Sequence, residues 1–176
     1  MTDQKYWSRE WMRVLATRFQ TQDVRVLTIW QPRASFFTMG FKLSETRGAP
    51  ETKYRGKILI HAAKRIPKKD DADLWAQALR LSSIDIDPQL PIQDVSSLSL
   101  GAILAICDLT DCKPIDSELI AEQSELELLA GDWQIGRFAW KMENIILPPA
   151  PIPYSNGQGL QHLQIHKLPS FEEPKL

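Results

Sequence analysis

Lys42, Glu45 and Arg47 put two cations and one carboxylate within six residues, just after Gly40. A glycine at that point lets backbone or ligand approach closely, so the trio forms a polar cluster and not a packing element. Two kinds of chemistry fit it. As an ammonium, Lys42 suits stabilisation of an oxyanion or a phosphate. Glu45 then serves as the general base that activates water. Nearby carboxylates favour the charged amine, which argues for an ammonium and against a neutral nucleophile that needs burial or neighbouring cations. The structural alternative is a Glu45–Arg47 pair that orders a cleft wall. The catalytic candidates within this cluster are thus Lys42 and Glu45.

The second chemistry is polyanion binding. Between Lys42 and Lys69 there are nine Lys/Arg against Glu45 and Glu51, whereas Asp108 to Asp132 carries eight acids against Lys113 alone. A basic lobe in a chain of net charge −1 is the footprint of a nucleic-acid face. Lys42, Arg47, Lys53, Arg55 and Lys64 are the candidate phosphate contacts. Trp30, Phe41 and Tyr54 are candidate stacking surfaces. Gln31 can donate and accept at once, as a base-edge reader must, although a contact at the following helix start would use the same amide.

Positioning this cluster takes a barrel-like set of strands. Val24 to Trp30 is β-branched and aromatic and stops at Pro32. Residues 33–39 fit two helical turns with Gly40 as a left-handed cap, after which an extended segment puts Glu45 and Arg47 on one face. Lys57 to Ala63 reads as a strand, and Asp70 or Asp71 opens a helix with Leu74, Trp75, Ala78 and Leu79 buried. Residues 82–97 read as a long surface loop. Leu98 to Leu109 is apolar on both faces, as in a central strand covered on both sides, with Asp108 at the barrel mouth, where a carboxylate stays hydrated. An acidic helix is expected from Asp116 or Ser117 to about Ala130. Strands follow over 137–147 and 160–166, separated by a proline-rich connector. At the start of the chain, Trp7, Trp11, Val14, Leu15 and Phe19 mark an amphipathic helix over 3–20.

Composition narrows the class. Hydrophobic content of 43% and charged content of 24% suit a globular domain. No apolar run approaches the roughly 20 residues of a membrane span, so no membrane role is expected. Two cysteines cannot form a disulfide framework, which with the absence of a leader-like pattern points to the cytoplasm. Cys107 and Cys112 fall on opposite strand faces, and His162 with His166 lacks a third ligand, so neither a metal nor a cofactor is expected. There is no phosphate-binding glycine loop and no serine–histidine–acid set.

Ile29-Trp30-Gln31-Pro32 followed by Gly40-Phe41-Lys42-Leu43-Ser44-Glu45-Thr46-Arg47 resembles the GxKxxExR signature of the ASCH (activating signal cointegrator homology) domain. The resemblance continues through Tyr54-Arg55-Gly56, Leu59 to Ala63, Gly101 to Asp108, Phe138-Ala139-Trp140, Pro151-Ile152-Pro153 and Gly157 to Leu160. It covers roughly residues 25–166, with Gly48-Ala49-Pro50 where relatives often carry an aromatic. It implies an α+β fold, a small mixed β-barrel of PUA-like type with helices packed outside. The division expected is an N-terminal helical extension over 1–23, the ASCH-like domain over 24–168 and a loose tail over 169–176. It also implies RNA binding, more than DNA, in a cleft beside the signature. For one group of small ASCH proteins it implies hydrolysis of N4-acetylcytidine, with a lysine at Lys42, a hydroxyl residue where this chain has Glu45, and an acid best matched by Asp108. A third expectation is a protein-interaction module in a larger assembly, docking through the acidic helix or the N-terminal one.

Overall fold

The computed structural model describes residues 23–82 and 94–164. The expected helix over 3–20, most of the 82–97 loop and the tail lie outside the described residues. The strands are β1 (Arg25–Ile29), β2 (Ser44–Arg47), β3 (Gly56–Ala62), β4 (Ala102–Pro114), β5 (Phe138–Ile146), β6 (Ile152–Pro153) and β7 (Gly159–His162). The helices are α1 (Arg33–Thr38), α2 (Lys69–Leu81), α3 (Ser117–Ala121) and α4 (Glu125–Ala130), with a 3-10 turn at Val95–Ser97. The strands form one mixed sheet in the order β2-β5-β4-β3-β1-β7, with β6 also on β4. The expected small mixed β-barrel with outer helices is found as a curled mixed sheet, a half-barrel, in an α+β fold. Among the described residues no helix is long and apolar enough to cross a membrane.

The core follows the strand period. Leu27, Ile58, Ile60, Cys107 and Leu109 bury one face together with Trp140 and Met142. Val26, Leu59, Ile103 and Ile106 bury the other against Ile152 and Tyr154. Both faces of β3 and β4 are therefore covered, which explains their near-continuous apolar composition. Curling comes from irregular pairing. The β4–β5 register shifts between Ile106 and Asp108 and again between Leu109 and Asp111, and Asn144 sits at φ 52° beside the first shift. Such bulges bend a strand and add twist. A third cluster outside the sheet stacks Phe36 of α1 on Trp75 of α2, with centroids 5.7 Å apart.

Three sequence expectations change. The β4 strand runs five residues past Leu109 because β5 is long enough to pair with it through Pro114. The single acidic helix is two: Asp116 accepts from Leu119 N and caps α3, while Ser124 accepts from Glu127 N and starts α4 afresh. The proline-rich connector contains β6, paired to Ala102 and Ile103.

Candidate functional site

The signature residues lie where the two ends of the curled sheet approach each other. Strand β2 is one end of the strand order and β1 with β7 the other. Arg47 closes the gap by donating from Nη2 to the Thr28 carbonyl at 3.1 Å. Gly40, at φ +71°, ends α1 as a left-handed cap and turns the chain into β2. Lys42 follows it fully buried, with Nζ 3.4 Å from Glu45 Oε2 and 3.4 Å from the Ala130 carbonyl. The Phe37 ring lies 5.6 Å from the same ammonium. Glu45 Oε1 is 3.0 Å from Arg47 Nε. That contact is an ion pair without hydrogen-bond alignment, since the Nε–H has no acceptor in line. The carboxylate thus stands between two cations, and its charge offsets the cost of burying the lysine.

Helix α4 and the turn after it clasp this strand from behind. The buried Glu127 carboxylate accepts from Leu43 N at 2.6 Å and Ser44 N at 3.1 Å. Burial raises its pKa, opposed by the Leu43 hydrogen bond and the Lys42 charge. Asp132 N donates to Thr46 Oγ1 at 2.8 Å, and Arg137 donates to the Thr46 and Asp132 carbonyls. The Ala130 carbonyl that receives Lys42 belongs to the same segment. Position 127 looked like one acid among eight in the sequence, and nothing in its spacing set it apart.

The opposite wall is propped by a buried polar network. Thr28 Oγ1 donates to Gly157 O at 2.7 Å, accepts from Asn156 Nδ2 at 3.0 Å and lies 3.1 Å from His61 Nδ1. His61 Nε2 lies 3.0 Å from the Tyr154 carbonyl. Burial lowers the pKa of this imidazole; the Tyr154 carbonyl only accepts, so Nε2 carries the proton, and the single Thr28 hydroxyl proton is shared between Gly157 O and the bare Nδ1. The network ties β1 and β3 to the 154–157 segment, which delivers Gln158 and Gly159 to the cleft.

The result is a cleft of about 610 Å³ lined by Thr28, Trp30, Arg33, Lys42, Glu45, Arg47, Asp132, Arg137, Gln158 and Gly159 among others. Four cations face two carboxylates there, which favours an anionic guest. Among the described residues the Arg33 side chain makes no hydrogen bond or ion pair. Arg33 and Arg137 were missed by sequence reasoning. Each sits at an element boundary, and only the closure of the sheet brings both beside Lys42.

Not every sequence candidate joins them. Asp108 lies on β4 with Lys57 Nζ at 2.7 Å from Oδ1 and Asn144 Nδ2 at 3.0 Å from Oδ2, and it does not line the cleft. Burial pushes its pKa up, but the hydrogen bonds from Lys57 and Asn144 and the Lys57 charge outweigh that and lower it overall. The strand alternation that put Asp108 at a mouth was sound locally. The register places it on a different part of the wall from Lys42. Gln31 is fully buried, its Nε2 donating to Ser99 O and its Oε1 accepting from Ser35 N, so its amide is engaged at the helix start. The Tyr54 hydroxyl shares its one proton between the Asp23 and Lys57 carbonyls, Arg25 sits over its ring at 4.9 Å, and burial pushes its pKa up to about 12. Arg55 is occupied by the Thr52 and Tyr54 carbonyls and lies 3.7 Å from Asp111. Lys53 and Lys64 are exposed outside the cleft lining. Phe41 is core, whereas Trp30 is 44% exposed and lines the cleft.

No family model matches the chain, and no curated protein does. Among solved structures, a mutant of ZmASCH from Zymomonas mobilis is similar over 81% of this chain and 91% of that one, at 13% identity and a TM-score of 0.45.

Proposed function

We propose that this chain is an ASCH-type module that binds single-stranded or loop RNA through the cleft at the sheet seam. The cleft's composition carries the reading: Arg33, Arg47 and Arg137 line it with an exposed tryptophan, and the buried Lys42 lies behind them. Cations that meet phosphates and an aromatic face that meets a base are what single-stranded recognition needs. The ordered signature motifs supply the family part of the proposal. DNA is the weaker candidate, since a cleft of this size admits an unstacked nucleotide and not a duplex.

The hydrolytic alternative, an amidohydrolase acting on a modified nucleoside such as N4-acetylcytidine, is supported by the buried Lys42–Glu45 pair beside the cleft. It is weakened by Asp108, whose carboxylate is held by Lys57 and Asn144. In that scheme Glu45 alone would have to act as base. A protein partner remains a third proposal, though Glu127 of the acidic segment is turned inward and clasps β2.

Titration of fluorescein-labelled RNA pools at 50 and 200 mM salt tests the binding reading. Affinity should fall at least tenfold for three to four phosphate contacts, on the order of the loss that counterion release gives. Absent or salt-insensitive binding overturns it. Release of cytidine from N4-acetylcytidine, abolished by Lys42→Ala, would replace binding with hydrolysis.

A further inference from the structure

We propose that Trp30 is the base-stacking platform of the cleft, held ready by Arg65 and Asp71, and that the guest there is a nucleotide unit bearing both ring and phosphate. This inference rests on the RNA-binding reading and names what the cleft grips.

An exposed tryptophan alone means little, because much protein surface is apolar. Trp30 differs in being held. Its carbonyl accepts from Ala34 N at 3.2 Å, tying it to the first turn of α1. The Arg65 guanidinium sits over the indole with Cζ 4.3 Å from the ring centroid. That cation is itself anchored, since Arg65 Nη1 donates to Asp71 Oδ2 at 2.8 Å. Asp71 is buried, and the same oxygen accepts from Lys68 N at 2.7 Å as part of the cap of α2. A chain from helix cap to carboxylate to guanidinium therefore covers the indole on one side. Trp30 is 44% exposed and is one of the residues that line the cleft.

A ring ordered before its guest arrives spares the entropy of freezing it on binding. An arginine on one face leaves the π-surface that a purine or pyrimidine stacks on, giving a guanidinium–indole–base sandwich. Arg33 and Arg137 line the same cleft and supply the charge that a phosphate seeks. A free acyl group or simple anion would use the cations and leave the indole idle. A ring without phosphate would do the reverse. The combination selects a nucleotide.

The test uses the full chain and two fluorescein-labelled probes, octa-riboadenylate and an abasic ribose-phosphate octamer of the same charge. Trp30→Ala should weaken binding of the octa-riboadenylate by about 5- to 150-fold, the range one stacked base gives. Its affinity for the abasic probe should stay within about twofold. Trp30→Phe should recover most of the loss, and Arg65→Met should lose about threefold or more for octa-riboadenylate only. Thermal melting of each variant establishes that it is folded. Equal binding of octa-riboadenylate by Trp30→Ala and wild type, or an equal loss on both probes, overturns the platform while leaving RNA binding intact. If wild type binds neither probe, the platform and the RNA reading fall together.

Discussion

Two lysine–carboxylate pairs in this fold have the same chemistry and different settings. Lys42–Glu45 is sealed, with side-chain exposures of 0% and 8%, whereas Lys57–Asp108 is lapped by solvent at 34% and 22%. The exposed pair is the shorter, at 2.7 Å against 3.4 Å. Distance alone would rank it first. Burial reverses the order of consequence, because an ammonium taken out of water is strongly destabilising without its counter-charge, while an exposed pair is screened and contributes little. Burial also decides which pair can serve a cleft. Glu45 bridges Lys42 to Arg47 at the sheet seam, while Asp108 faces Lys57 across the β3–β4 ladder.

The sharpest way to break this contrast is to remove one carboxylate from each pair. Glu45→Ala takes from the buried Lys42 its ion-pair partner and leaves the Ala130 carbonyl, the Phe37 ring and the field of Glu127, and should cost about 3–5 kcal/mol in urea unfolding. Adding Lys42→Met to that variant should return most of the stability, since an apolar chain then replaces the stranded charge. A cost for Glu45→Ala below about 1 kcal/mol would show that the pair is not sealed as drawn.

A smaller effect is expected from Glu127→Gln. The amide keeps the shape but replaces one of the two oxygens that hold Leu43 N and Ser44 N with a donor. The expected loss is about 1–3 kcal/mol at pH 7. Its pH dependence has a definite sign. Burial raises the Glu127 pKa above the ordinary 4.5, so the folded state holds the proton more tightly than the unfolded one. The wild-type contribution is therefore complete below 4.5 and lost as pH rises through the folded value. The cost of Glu127→Gln, measured against wild type, should grow on acidification from pH 7 toward 4.5. A cost that shrinks over that range would mean that the hydrogen bonds, and not burial, dominate this carboxylate.

The smallest effect belongs to Asp108→Asn, expected at or below about 1 kcal/mol, with RNA affinity within about twofold of wild type. Loss of binding or turnover in this variant would move the functional centre to β4 and undo the distinction between the two pairs.

The local devices of this fold were legible in the sequence. Proline after β1, glycine after α1 and the apolar runs of β3 and β4 act through neighbours in the chain. The expected places of β1, α1 and β3 agree with the elements found to within a residue, whereas β4 starts four residues and ends five residues later than expected. Glu45 with Arg47 was readable in the same way, since alternation along four residues puts them together. The failures share a cause. Asp108 was placed at the barrel mouth by the cost of burying a carboxylate and matched to the signature site by resemblance, but the register with β3 and β5 decides where along the wall it lies. Gln31 was assigned to a ligand from its chemistry, but Ser99, 68 positions away, takes its donor.

What the amino-acid order determined by itself is the kit: a strand, a capped helix, a charged strand after a left-handed glycine, and a central strand buried on both sides. Tertiary structure alone decided that the sheet curls until Arg47 reaches Thr28, and that Thr28 meets Gly157 from 129 positions away. It also decided that Arg33, Arg137 and Trp30 share one cleft with Lys42. Short-range periodicity carries no record of sheet closure, because register and curvature are set by bulges and by contacts between residues far apart in the chain.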